Sequence, residues 1–250
     1  MAGHSHWAGI KHKKAAVDAK RGKLFSKLAK HITSAARSGG GDLEMNLRLK
    51  YAIEKARAAN MPKDNIERAL KKGTGELEGE TLEELTYEGY GPGGVAVYVE
   101  VLTDNRNRTA AEMRHLFDKR GGNMGENGCV AWMFEKKSIF QVEPSASDEE
   151  TLMDLAMEAG ADDLVAEPAF FEISGSPTEF ENIRKALEAA SIPTTMAEIT
   201  FVPKSTVALD ADKAKKVLQL LEALEDHEDV QNAYANFDIP DDVMNEITAA

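Results

Sequence analysis

The chain has 250 residues, with 30 Lys and Arg against 43 Asp and Glu, for a formal net charge of −13. Apolar residues make up 42% and charged residues 29%, the balance of a globular chain rather than a disordered or fibrous one. The single cysteine, Cys129, excludes an internal disulfide scaffold and fits a reducing compartment. The length predicts two or three domains, ample to bury a core without staples. The densest apolar run, Val95–Val99, stops at Glu100, far short of the roughly 20 residues that span a bilayer. Met1–Lys14 lacks the apolar core of a secretory signal, so the expectation is a cytoplasmic protein with no membrane contact.

The charge is divided along the chain. Met1–Lys72 carries 17 basic and 6 acidic residues, a balance of +11, and the remainder carries −24. Such an asymmetry predicts a polyanion-facing segment on an acidic body, which would repel nucleic acid everywhere but at its basic end. The plainer reading is a basic helix with a solvated face.

The first predicted helix covers Gly22–Arg37, where Leu24, Phe25, Leu28, Ile32, Ala35 and Ala36 recur at helical spacing. Lys20, Lys23, Lys27 and Lys30 then share a second face, expected to be exposed. Ser38–Asp42, with three glycines in a row, ends it. Leu49, Ala52, Ile53 and Ala56 mark a second helix. A third starts at Pro62, with Asp64 and Glu67 near its positive end and Lys71-Lys72-Gly73 at its far end.

Beyond the acidic stretch Glu76–Glu84 the period changes. Val95–Leu102 reads as a strand, Thr109–Lys119 as a helix, Gly121–Gly128 as a glycine-rich turn and Cys129–Phe134 as a strand. Next come a strand at Ile139–Val142, a helix at Asp148–Glu158 after a Ser147 cap, a hairpin of Asp163–Ala166 with Ala169–Ile173, a helix at Thr178–Ala190 and a strand at Thr195–Val202. That β-α-β-β-α-β order is the ferredoxin-like pattern. A strand at Thr206–Leu209, a helix at Ala211–Leu224 and a strand at Asp229–Phe237 complete a second such unit with Val95–Phe134. The expected fold is α+β: a three-helix domain (1–80), a discontinuous α/β domain (81–135 with 204–250) and an inserted α/β domain (136–203).

The chemistry legible in these residues is sparse. His4, His6, His12 and His31 lack the convergent ligands a zinc site needs, so no metal is expected. Gly89–Gly94 precedes a strand rather than a helix, which favours a tight turn over a phosphate cradle. Cys129 has no basic neighbour to activate it and is expected to be a buried structural thiol in an apolar strand. No catalytic constellation, cofactor or small-molecule substrate is indicated, and the expectation is a protein that is not an enzyme. Nucleic acid is the best-supported partner. Lys11, Lys13, Lys14, Lys20, Arg21, Lys23, Lys27 and Lys30 are candidate phosphate-neutralising groups. Arg106, Arg108, Arg114, Lys119 and Arg120, just ahead of the glycine-rich turn, form a second candidate group, against a purely structural role for that turn. Aromatic residues are only 6%, so base stacking is a poor main source of affinity, with Trp7 the one exception to weigh.

Several ordered motifs then resemble one family. Met-Ala-Gly-His-Ser-His-Trp7, Lys13-Lys14-Ala-Ala-Val-Asp18, Arg21-Gly-Lys-Leu-Phe25, Tyr87-Glu-Gly-Tyr-Gly-Pro-Gly-Gly94, Asp104-Asn-Arg-Asn-Arg-Thr109, Gly121-Gly-Asn-Met-Gly125 and Val230-Gln231 are similar to the YebC family, across essentially the whole chain. Its mitochondrial relative is the translational activator of cytochrome c oxidase. His6 and Leu47 depart from it, standing where Lys and Pro are usual. The resemblance implies a helical domain followed by two α/β domains. It also implies a regulator of gene expression in the cytoplasm. That regulator is either a DNA-binding transcription regulator or a ribosome-associated factor contacting rRNA or tRNA at stalls on proline-rich stretches.

Overall fold

The computed structural model describes residues 18–79 and 81–240, together with Val243. It opens with α1 (Asp18–Gly39), α2 (Leu47–Ala58) and α3 (Lys63–Thr74). Leu28, Ile32, Ala35, Leu49, Ile53, Ile66 and Ala69 meet in one core, whereas Leu24, assigned to the same stripe by its spacing, is exposed. Asn46 joins α1 to α2. Its side-chain oxygen accepts from the Leu49 N–H at 3.1 Å, and its amide donates to the Ala35 and Gly40 carbonyls at 2.8 Å each. All this happens in a buried setting, where an unsatisfied amide would cost about 1–3 kcal/mol. Gly73 does not end the third helix but lies inside it, and the left-handed position is Gly75. A Cβ on Gly73 would lie 2.5 Å from the Ala36 Cβ and 2.6 Å from the Thr33 carbonyl oxygen, so glycine there sets how closely α3 approaches α1.

The chain continues through β1 (Glu83–Tyr90), β2 (Ala96–Thr103), α4 (Arg106–Lys119) and β3 (Asn123–Met124). A second sheet follows, from β4 (Phe134–Val142), α5 (Glu149–Glu158), β5 (Ala161–Ala166), β6 (Phe171–Gly175), α6 (Phe180–Ala189) and β7 (Thr194–Pro203). After β8 (Val207–Ala208) the chain returns through α7 (Ala211–Glu225) and β9 (Val230–Ala235) to the first sheet, then ends its described run near β10 (Phe237–Asp238). The fold is therefore α+β: a helical region, then two α/β sheets, one inserted in the sequence of the other. By compactness, Trp132–Ala208 and Asn236–Pro240 form one unit, and the described parts of Ile10–Ala131 and Leu209–Ala235 form the other.

Both four-stranded sheets are antiparallel, ordered β5-β6-β4-β7 and β3-β1-β2-β9. The inserted sheet has the ferredoxin-like order outright. Phe140 on its central strand stacks on Phe180 of α6 at 4.9 Å. The enclosing sheet has the same spatial order by a different route, because the place of the third strand is taken by β1, which precedes the first. Accordingly, one strand is present that the sequence pattern leaves unassigned, and two local expectations fail. Glu83–Tyr90 is a strand although three of its eight residues are acidic. Cys129–Phe134 is not a strand, since Ala131–Met133 forms a 3-10 turn and β3 is the edge partner of β1. Of Thr206–Leu209 only Val207 and Ala208 are extended, and they pair in parallel with β10, away from either large sheet. The cap of α5 is Asp148 rather than Ser147, its carboxylate accepting from the Thr151 N–H at 2.9 Å.

Candidate nucleic-acid interface

Lys23, Lys27 and Lys30 do share a face of α1, as their spacing predicts. Lys23 is exposed while Lys27 and Lys30 are half-buried, but all three ammonium groups hydrogen-bond within the protein. Lys23 donates to the Asp226 carbonyl at 3.2 Å, Lys27 donates to the Glu225 carbonyl, and Lys30 donates to the Glu228 carbonyl at 3.4 Å and to Asp229 Oδ1 at 2.6 Å. The physical cause lies at the end of α7. The last carbonyls of a helix lack intrahelical donors and carry the negative end of its dipole, so ammonium groups are favourable there. Lys23 and Lys27 thus cap α7, and Lys30 holds the turn that follows it.

Asp229 is the centre of this contact, and its side chain is fully buried. Besides Lys30, it accepts from Arg108 Nη2 at 2.7 Å, Thr109 Oγ1 at 2.8 Å and Thr103 Oγ1 at 3.2 Å. Burial alone would raise its pKa, but the hydrogen bonds from Lys30, Arg108 and Thr109 outweigh it and hold the carboxyl down to about 2. Arg108 is correspondingly raised, first by its bond to Asp229. Beside them, the Asp229 N–H donates to His227 Nδ1 at 3.1 Å, which leaves His227 Nε2 facing Glu112 at 2.9 Å. Glu112, His227 and Asp229 bring one ligand atom each within 4.8 Å of one another. Lys30 and Arg108 already neutralise that site, so its field does not call for a metal cation.

The glycine-rich turn is organised from inside. Glu88, buried on β1, accepts at 2.7 Å from each of the Gly128, Val130 and Ala131 N–H groups, and its own carbonyl accepts from Gly125. A Cβ on Gly125 would lie 2.7 Å from Cys129 Sγ. Cys129 is half-buried in this turn rather than set in a strand. Burial, then the Glu88 charge, raises its thiol pKa, the opposite of nucleophile activation. Of the five basic residues ahead of the turn, Arg106, Arg114 and Lys119 are exposed. Arg108 is committed to Asp229. Arg120 reaches Gln219 Oε1 at 3.5 Å and keeps a buried Nε without a partner among the described residues.

Lys11, Lys13, Lys14 and Trp7 lie outside the described residues, and Lys20 falls on α1, beside exposed Arg21. The spacing argument passed over Arg57 on α2 and Arg68, Lys71 and Lys72 on α3, all exposed. The terminal lysines had read simply as complements of the α3 dipole, and a solvated side chain leaves no further signal in a single sequence. Between these helices His31 sits largely buried, its pKa lowered to about 4 by burial, then by Lys55 and Arg48. Ser34 donates to Glu84 Oε1 at 2.5 Å and Arg48 pairs with the same carboxylate, a second tie between the helical region and β1.

Comparison with known proteins places these features in context. Residues 5–76 match the family described as "TACO1/YebC protein N-terminal domain", and residues 82–237 match "TACO1/YebC second and third domain". A probable transcriptional regulatory protein of Natranaerobius thermophilus is 58% identical, across 98% of this chain and 99% of its own. One of Halothermothrix orenii is 60% identical, across 99% of each chain. The crystal structure of a conserved hypothetical protein from Aquifex aeolicus superposes with a TM-score of 0.84 at 53% identity, covering 94% of this chain and 98% of that one. Among the described residues no helix is long and apolar enough to cross a membrane.

Proposed function

Since the chain belongs to the TACO1/YebC family, whose curated relatives are named probable transcriptional regulatory proteins, we propose that it is a non-enzymatic, DNA-binding regulator of transcription in the cytoplasm, contacting nucleic acid through its helical domain. The observation that carries this is the charge division: +11 over Met1–Lys72 against −24 over the rest. Exposed Arg57, Arg68, Lys71 and Lys72 support it further, because the side chain of each is without a partner among the described residues. Lys11, Lys13, Lys14, Lys20 and Arg21 are the other phosphate contacts in this reading. Lys23, Lys27, Lys30 and Arg108 contribute to the field, but their hydrogen bonds are spent within the protein. Arg106, Arg114, Lys119 and Arg120 form a secondary contact beside the glycine-rich turn.

Phosphate contacts release counterions, so six of them should lower duplex affinity by about three decades between 50 and 200 mM salt. A gel-shift titration across that range tests the reading, and a flat response would refute it. Crosslinking in cells, followed by identification of the bound nucleic acid, tests the target. Recovery of ribosomal RNA without chromosomal DNA would replace transcription by translation as the process regulated.

A further inference from the structure

A groove of about 450 Å³ runs between α1 and α3 in the helical region. Phe25, Ala29, Met61 and Ala69 contribute apolar lining, and Arg68, Lys72 and Asn65 polar lining. Lys30 also reaches it but is held by Asp229 at 2.6 Å. The side chains of Arg68, Lys72 and Asn65 have no hydrogen-bond or ion-pair partner among the described residues. Among the described residues no acidic side chain lines the groove, although the chain as a whole is strongly acidic.

We propose that this groove binds one unpaired nucleotide of a single strand, in extension of the nucleic-acid reading above, on which it rests. The volume lies in the range of small-ligand sites and suits a nucleotide, whereas a duplex cannot enter it. The charge is complementary: Arg68 and Lys72 receive the phosphate. The apolar residues take the base, whose flat faces are sequence-tolerant partners for aromatic and aliphatic side chains. The Asn65 amide, with donors and an acceptor together, suits the hydrogen-bonding edge of a base. An acidic peptide would satisfy the two cations but would leave the apolar lining without a flat partner.

The test uses the full chain and oligonucleotides carrying 2-aminopurine, whose fluorescence rises when the base leaves a stack. Single-stranded RNA and DNA form two arms, and the matching duplex a third. Ser26→Trp fills the groove from an exposed position without removing a charge, and Lys72→Glu reverses one cation without filling it. The expected result is a fluorescence rise with one or both single strands. Ser26→Trp should abolish the rise and weaken single-strand binding at least tenfold, with duplex affinity kept, and Lys72→Glu should weaken single-strand binding by a similar factor. Circular dichroism checks the fold of each variant, and if Ser26→Trp does not fold, Lys72→Glu with the fluorescence of the unaltered chain decides. Duplex binding without any fluorescence rise, or single-strand binding indifferent to both variants, would overturn the groove and leave the broader reading standing. Absence of binding in all three arms would overturn both.

Discussion

Replacing Asp229 by Asn removes one negative charge from a fully buried position and leaves its volume almost unchanged. The carboxyl is held at about 2, against an ordinary 3.8, so its charged form is favoured in the fold by about 2 kcal/mol at neutral pH. Removing one partner of a fully buried pair costs about 3–5 kcal/mol, but here Lys30 and Arg108 remain 21% and 37% exposed and keep part of their hydration. The expected loss is therefore about 2–3 kcal/mol, or some 5–10 °C in the melting temperature of the unit containing it. The sign of the pH dependence follows from the depressed pKa. Stability from this carboxylate is complete above its unfolded pKa and drains away as pH falls from about 4 toward about 2. Urea titrations of both proteins from pH 7 to pH 2.5 should show a constant gap down to pH 5 that then narrows. A gap of zero at pH 7, or one that does not narrow in acid, would refute the assignment of Asp229 as a charged keystone. A double-mutant cycle with Lys30→Met should give a coupling of about 1–3 kcal/mol, because the two groups are in direct contact.

Glu88→Gln removes the charged acceptor of three N–H groups and should cost about 2–3 kcal/mol. The same variant should react faster with a thiol reagent at Cys129, since the nearby negative charge is gone, and an unchanged rate would count against that coupling. Gly73→Ala gains about 1 kcal/mol of helix propensity, but its Cβ meets backbone at 2.6 Å. The overpacking cost of about 1–3 kcal/mol wins, and denaturant midpoints should fall. His31 should titrate near pH 4 by NMR. Because this histidine is buried neutral, stability should decline as pH drops from about 6.5 to about 4, and His31→Gln should flatten that part of the profile.

The parts of this fold legible in the sequence are those where side chains repeat with the backbone period. Leu28, Ile32, Leu49 and Ile53 fall at helical spacing within their two helices and are buried where that spacing puts them. The inserted sheet was legible for the same reason, its strands being short apolar runs between breaks. The strand β1 was not, because Glu83, Glu84 and Glu88 make it look solvated. Glu88 is buried only because three N–H groups from a turn some forty residues later close on it, and no local pattern encodes that closure. The lysine face of α1 shows the same limit. Period identifies Lys23, Lys27 and Lys30 as neighbours, but the groups that cover them are mostly carbonyl oxygens, which every residue possesses. Asp229, two hundred positions away, could not be distinguished from the other acidic residues near it.

The inserted sheet enters and leaves through adjacent backbone. The Lys204 N–H donates to the Met133 carbonyl at 2.9 Å, and Phe134 on β4 stands opposite Pro203 on β7. For the enclosing chain, some seventy residues therefore amount to a detour whose two ends are pinned side by side. The entropy of closing a loop that long is met by the insert's own ladder, and the host elements need supply only the two short strands of chain that lead in and out. Mutations that loosen the insert internally are thus separable from those that loosen its host, as long as the first rungs of the β4–β7 ladder persist. The insert can drift in sequence, or be exchanged for another unit with neighbouring ends, while α7 and β9 still return to complete the enclosing sheet.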